Sequence, residues 1–133
     1  MQHPPPLVDA RLTEEPIPPS LPSPPPLNEC GAVLTFRRVV RGTHEGKPIS
    51  AVRYEVYEKM ALAKITEIAE ALGRNHGALA VTVIHRHGVI RVGETVVYVA
   101  VRAPTRRAAV GCVDDIIDVM KRDAPIWRVE AMP

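Results

Sequence analysis

The side chains with the clearest chemical potential are cations placed near loops and at the ends of regular segments. Guanidinium groups bind phosphate in a bidentate fashion, and the free backbone N–H groups at a helix start add to such a site. A set of this kind suits an anionic small ligand. Its members are Arg37, Arg38, Arg41, His85, Arg86, His87, Arg106, Arg107, Lys121, Arg122 and Arg128.

Each of these cations also has a purely structural interpretation. Charged runs usually lie on a solvated face, and a lysine such as Lys121 is favoured at a helix end by the negative pole of the helix dipole. His85 and His87, two residues apart on a strand, share a face and could hold a metal. Because no third ligand is evident, the spacing favours a histidine satisfied by local hydrogen bonds, and we expect no metal site.

The common catalytic motifs are absent from the sequence. It contains no P-loop, GxGxxG, HExxH or GxSxG pattern. Cys30 and Cys112 lie far apart without metal-ligand spacing, which favours reduced thiols and a cytoplasmic protein. The longest apolar run, 95–101, is far shorter than the roughly 18 residues of a membrane helix, so we expect no membrane association.

Proline divides the 133 residues into two parts. Ten of the 14 prolines lie in residues 1–28, which are predicted to form a disordered, Pro-rich arm before a single domain at 29–133. Triple prolines at 4–6 and 24–26 favour an extended polyproline II chain, and a PxxP-type ligand motif is the alternative. The body carries 16 bases against 12 acids and few aromatic residues, which argues against nucleic-acid binding.

Hydrophobic periodicity predicts an α+β domain. Period-2 or continuous apolar patterns indicate strands at 31–40, 49–57, 78–87, 94–102 and 126–132, with a loop at 41–48. Helical stripes indicate one helix at about 58–76 and a second that begins at Thr105, a plausible N-cap, and ends before Pro125. The stripes comprise Leu62, Ile65, Ala69 and Leu72, then Val110, Val113, Ile117 and Met120. Two main helices should therefore cover a mixed, largely antiparallel sheet.

Five segments of the body, in order, resemble the large catalytic subunit of molybdopterin synthase, the MoaE family. The resemblance covers roughly residues 30–132. The segments are CGAVLTF at 30–36, YEVYxxMA at 54–61, VTVIHRxG at 81–88, VGE at 92–94 and IDxxKxxAPIW at 117–127.

The resemblance implies a MoaE-like α/β hammerhead fold and a sulfurtransferase of molybdenum cofactor biosynthesis. Members of the family convert cyclic pyranopterin monophosphate to molybdopterin, whose dithiolene sulfurs come from the thiocarboxylated C-terminus of a ubiquitin-like, MoaD-type small subunit. The implied assembly is a homodimer of large subunits with a small subunit at each end, a heterotetramer. Sulfur arrives on the partner, so no cofactor and no nucleophilic cysteine are implied.

The resemblance also assigns roles by position. Lys121 corresponds to the family's helix-end lysine, a candidate for acid/base or covalent catalysis, and Arg128 replaces its second lysine. Arg41 and Arg106 correspond to arginines that bind substrate anion. Thr105 takes the place of a histidine before Arg106. Arg38 takes the place of a glycine, where it would either crowd the loop or serve as a substitute anion clamp.

These substitutions leave two hypotheses open. The first is an active synthase subunit with a varied pocket. The second is a non-catalytic relative that binds the small subunit or a phosphorylated ligand without sulfur transfer. The end of this sequence at Pro133, before the C-terminal segment usual in the family, also contributes to this second hypothesis.

The spacing of two candidate residues bears on assembly. Arg106 and Lys121 lie on one predicted helix with about 22 Å of rise between them. One small ligand cannot contact both, so a shared site would have to straddle a two-fold interface.

Overall fold

The structure, a computed structural model, describes residues 3–22 and 27–133. Within these ranges the chain forms nine strands and two helices. They are β1 (Leu7–Thr13), β2 (Ala32–Val39), β3 (Thr43–His44), β4 (Lys47–Pro48), β5 (Ala51–Val56), α1 (Glu58–His76), β6 (Ala80–Arg86), β7 (Gly88–Arg91), β8 (Thr95–Ala103), α2 (Arg106–Asp123) and β9 (Ile126–Met132).

The strands form a four-stranded sheet of order β1-β6-β8-β2, a three-stranded sheet of order β7-β5-β9 and the small β3-β4 hairpin. All pairs are antiparallel except β1 with β6. Helices α1 and α2 pack against each other and against the four-stranded sheet. The predicted α+β class with a mixed, largely antiparallel sheet and two helices is confirmed.

The central strands of the larger sheet are those with continuous apolar sequence. β6 and β8 are buried along almost their whole length, because the helices cover one face and chain segments contact the other. In the same sheet, β1 and β2, whose burial alternates along the strand, lie at the two edges, where one face meets water. The predicted loop 41–48 contains the β3-β4 hairpin, and the turn after residue 87 contains β7; both are short pairings that the sequence analysis missed.

Both helices have the predicted bounds, and each end has a local cause. α1 ends at Gly77, which adopts a left-handed φ of 72°, and the Ala78 N–H donates to the carbonyl of Gly73 at 2.8 Å. α2 begins at Thr105, whose Oγ1 accepts from the Ala108 N–H at 3.2 Å, so the predicted N-cap is confirmed.

The predicted core stripes need one correction in each helix. Leu62 and Val110 are 40% and 50% exposed. The buried faces are rotated toward positions that carry smaller or β-branched side chains. Those positions are Ala61, Ile65, Ile68, Ala69 and Gly73 in α1, and Ala109, Cys112, Val113, Ile116 and Met120 in α2.

The N-terminal segment differs most from the sequence prediction. The expected disorder of residues 1–28 is wrong for Leu7–Thr13, which forms β1 and pairs in parallel with β6. Alternate residues Val8, Ala10 and Leu12 pack against the core, and Ile17 is buried. The strand forms because its backbone pairs with the N–H and C=O groups that β6 would otherwise leave unpaired at the edge of the sheet. The proline content of the segment does not reveal this gain. The proline run at 24–26 lies outside the described residues.

Neither helix combines the length and apolar composition of a membrane span in the described part of the chain.

Candidate functional site

A cavity of about 200 Å³ lies between the C-terminal half of α2 and the two larger sheets. Six elements contribute to its lining, so residues far apart in sequence meet there. The lining residues are Arg38, Tyr54, His85, Val97, Ile117, Met120, Lys121, Ala124, Ile126 and Arg128.

The sheet supplies one row of three residues to this cavity. In the register of β2, β8 and β6, Arg38 pairs with Val97, and Val97 pairs with His85. Paired residues lie on the same face of a sheet, and strands are spaced by about 4.8 Å. Arg38 and His85 therefore flank Val97 on one face, with their Cα atoms about 10 Å apart.

Helix α2 and strands β5 and β9 supply the remaining polar groups. Ile117, Met120 and Lys121 occupy positions i, i+3 and i+4, which share one face of a helix. Arg128 of β9 pairs with Tyr54 of β5, next to an irregularity in the register. The arrangement brings together three cations, Arg38, Lys121 and Arg128, from three separate elements.

A second cavity of about 230 Å³ adjoins the first, with which it shares Arg38, Tyr54 and Arg128. It adds Arg41 and Thr43 from the loop that follows β2. No carboxylate is among the described residues that line either cavity. We call the two together the basic groove, lined by the cations Arg38, Arg41, Lys121 and Arg128; its charge favours an anionic ligand.

The groove collects four of the six predicted site residues. Thr105 and Arg106 lie at the opposite end of α2 and line neither of its cavities. Thr105 acts as the helix cap described above. The 15-residue separation along one continuous helix places Arg106 about 22 Å of rise from Lys121, as the spacing predicts.

Two lining residues, His85 and Tyr54, are not among the six predicted site residues, although His85 belongs to the wider set of candidate cations in the sequence. The predicted local hydrogen bond of His85 is confirmed, since its Nδ1 lies 2.8 Å from the carbonyl oxygen of Arg86. Burial is the main cause that lowers the pKa of His85 to about 4; the charges of Arg38 and His87 act in the same direction, and the hydrogen bond to Arg86 opposes them. The alternation of His85 with Val81 and Val83 indicated that its side chain points to the inner face of the sheet. The cavity on that face, however, forms only through pairing between strands that are distant in sequence.

The cysteines lie outside the groove. Burial raises the pKa of Cys112 to about 11, so its thiol is not a ready nucleophile. Within residues 3–22 and 27–133, no group of three or more His, Cys, Asp or Glu side chains is placed to hold a metal ion.

Comparison with known proteins decides the family. A family model described as MoaE protein matches residues 14–123. The chain belongs to the MoaE family. A molybdopterin synthase catalytic subunit from Culex quinquefasciatus is 37% identical over 102 residues, 76% of this chain and 65% of that relative. The MoaE chain thus spans less than two thirds of that relative's length.

Solved structures agree with this assignment. Molybdopterin synthase from Staphylococcus aureus matches with a TM-score of 0.77 and 26% identity, over 88% of this chain and 86% of that one. A chain in the complex of subunits 1 and 2 of molybdopterin-converting factor from Helicobacter pylori matches with a TM-score of 0.66 over 94% of this chain and 88% of that one. Its identity is 14%, so it supports the fold alone.

Proposed function

We propose that this MoaE-family chain is the catalytic subunit of a molybdopterin synthase. It would transfer sulfur from the thiocarboxylated C-terminus of a small ubiquitin-like subunit to cyclic pyranopterin monophosphate, which gains the molybdopterin dithiolene. The observation that carries the proposal is the meeting of Arg38, Lys121 and Arg128 in one cavity without a carboxylate. Its relatives in Culex quinquefasciatus and Staphylococcus aureus, both molybdopterin synthases by name, point to the same activity.

The cations of the groove divide into two chemical kinds. Arg38, Arg41 and Arg128 hold permanent charge and fork-shaped donors, which suit them to the substrate phosphate. Lys121 has an amine that can give up and take back a proton, so we assign acid/base or covalent work to it. Arg128 shares the catalytic cavity but contributes charge rather than proton transfer.

The source of sulfur is consistent with the chain's thiols. The thiocarboxylate sulfur would form a C–S bond to a substrate carbon as a C–O bond at that carbon breaks, and the departing oxygen takes up a proton. Water then cleaves the acyl–sulfur bond, which leaves a carboxylate on the small subunit and a thiolate on the substrate; a second round supplies the second sulfur. The chain then needs no cysteine nucleophile, in agreement with the raised pKa of Cys112.

We further propose a cytoplasmic heterotetramer built on a homodimer of this chain, with one small subunit for each copy. In that assembly Thr105 and Arg106 of one copy would complete the groove of the other, because they lie too far from Lys121 on their own helix. The Helicobacter pylori neighbour, which shares the fold, was solved as a complex of two subunits of molybdopterin-converting factor.

The test mixes the purified chain with thiocarboxylated small subunit and cyclic pyranopterin monophosphate, and measures molybdopterin. We expect Lys121→Ala to lower the rate at least 100-fold while the complex with the small subunit persists. Arg122→Ala is the matched control, because Arg122 lies on the same helical turn, is exposed and pairs with Asp123 instead of lining the groove. Equal rates for Lys121→Ala and wild type would contradict the assigned role.

A stable complex and bound substrate without product from the wild type would favour the non-catalytic alternative. Arg38→Gly and Arg128→Lys, which introduce the residues usual in the family, would then be expected to gain activity.

A further inference from the structure

The groove contains one uncharged nitrogen group among its cations, the imidazole of His85. The side chain lines the first cavity although the residue is only 6% exposed. Its ring packs edge-on to Tyr54, with ring centroids 5.7 Å apart and an interplanar angle of 64°. Burial and this contact fix the ring in one orientation.

The hydrogen bond of His85 determines which ring nitrogen carries the proton. A carbonyl oxygen only accepts, so Nδ1 must donate its hydrogen to the carbonyl of Arg86 at 2.8 Å. In a neutral imidazole the other nitrogen, Nε2, then has a lone pair and no hydrogen. The pKa of about 4 keeps the ring neutral at physiological pH.

Nε2 of His85 has no hydrogen-bond partner among the described residues, yet it is not sealed from solvent. The one fully buried side-chain nitrogen that lacks an aligned hydrogen bond in those residues is Nη1 of Arg86, which lies 3.1 Å from Glu94 Oε1. Nε2 thus keeps some accessible surface, and because the His85 side chain lines the first cavity, that surface is assigned to the cavity. A lone pair placed there is an acceptor without a donor.

No carboxylate lines the cavity with His85, and none of the donor groups that line it forms a hydrogen bond to Nε2 among the described residues. The charged or titratable groups facing the imidazole are Arg38 across β8, His87 on its own strand end, Lys121 on α2, Arg128 on β9 and the Tyr54 hydroxyl on β5. Cations so placed keep the imidazole unprotonated. The groove thus offers anion-binding groups and a neutral imidazole acceptor, with Arg38 and His85 about 10 Å apart at their Cα atoms.

We propose that Nε2 of His85 accepts a hydrogen bond from a ring N–H of the substrate and orients its heterocycle while the arginines hold its phosphate. This inference rests on the proposed function, since a pterin phosphate carries both an anion and ring N–H donors. His85 would thereby select a phosphorylated N–H heterocycle over other phosphate esters, because an unpaired buried acceptor penalises a ligand without a donor.

Two variants separate the role of Nε2 as a hydrogen-bond acceptor from the role of Nδ1 as a donor to the Arg86 carbonyl. His85→Asn keeps a donor near Nδ1 for the Arg86 carbonyl but removes the acceptor at Nε2, whereas His85→Gln can place an amide oxygen close to Nε2. We expect His85→Asn to weaken the binding of cyclic pyranopterin monophosphate, so that Kd and KM rise at least tenfold while kcat changes less. His85→Gln should recover most of this loss, and inorganic pyrophosphate should bind all three proteins equally.

A ligand-side probe needs no variant to fold. A pterin phosphate methylated at its ring N–H groups should bind the wild type at least tenfold more weakly than the unmethylated compound. Equal affinity for the two compounds, or wild-type substrate affinity in His85→Asn, would overturn the inference. A parallel loss of substrate and pyrophosphate binding in His85→Asn would also overturn it, since that pattern indicates damage to the whole groove.

The product assay keeps the two proposals apart. If the wild type makes molybdopterin while His85→Asn matches it in KM, only the role of His85 fails. If the wild type binds the pterin in the predicted N–H-dependent manner but makes no product, the sulfur-transfer proposal fails and the role of His85 stands. Absence of any pterin binding by the wild type overturns both.

Discussion

Replacing Gly73 by alanine tests whether the N-terminal segment is docked as the structure describes. Gly73 lies in the last turns of α1, where alanine is intrinsically favoured over glycine by about 1 kcal/mol. A Cβ added there would lie 2.6 Å from Cγ and 3.3 Å from Cβ of Pro6, and 3.2 Å from Cγ2 of Val81. The proline ring cannot rotate away, so the segment leading into β1 would have to move.

The two effects oppose each other, and the structure decides the sign. Overpacking of this kind costs about 1–3 kcal/mol, which exceeds the helix gain. We expect Gly73→Ala to lower the free energy of unfolding by about 1 kcal/mol, or the Tm by about 4 °C in a domain of this size. In a Pro6→Ala background the shortest contact is removed, and the same substitution should be neutral or stabilising.

Urea unfolding of the wild type, both single variants and the double variant gives the coupling between the two positions. The structure predicts a coupling energy of about 1 kcal/mol or more, as expected for residues in direct contact. Stabilisation by Gly73→Ala in the wild-type background, with no coupling to Pro6, would refute the docking of residues 3–13.

The remaining predictions concern the helices and His85. Asp115→Asn should lower the free energy of unfolding by about 1 kcal/mol, because the Asp115 carboxylate lies 2.6 Å from His76 Nε2 and joins the two helices. The same change at exposed Asp114 should leave the free energy of unfolding in urea unchanged. Thr105→Ala should cost about 1 kcal/mol in thermal unfolding through loss of the helix cap, and Thr105→Ser should not. His85 binds its proton in the unfolded chain at an ordinary pKa of 6.5 but in the folded chain only at about 4, so stability should fall as pH drops through that window. The free energy of unfolding should change by up to about 1.4 kcal/mol per pH unit in this window, and by less in His85→Gln. The same pH dependence in wild type and His85→Gln would contradict the lowered pKa.

Local sequence predicted the features that have local causes. The N-cap at Thr105 and the end of α1 at Gly77 depend on neighbouring residues alone, and both were predicted at the correct positions. The distance between Arg106 and Lys121 followed from helix geometry in the same way.

Features that depend on long-range pairing were not predicted. The alternation of Val8, Ala10 and Leu12 was hidden by the surrounding prolines, and only pairing with β6 gives it a buried face. The approach of His85 to Arg38 required the register of three strands, which no single segment of sequence specifies. A histidine that the local pattern assigns to a hydrogen bond thus becomes part of a ligand cavity only in the folded sheet.

Formation of molybdopterin by the purified chain tests directly whether the basic groove carries out sulfur transfer. The chain, the thiocarboxylated small subunit and cyclic pyranopterin monophosphate are combined, and the dithiolene product is quantified over time. We expect product with the wild type and with Arg122→Ala, and loss of product with Lys121→Ala. Substrate and small subunit both bound, with no product from the wild type, would contradict it.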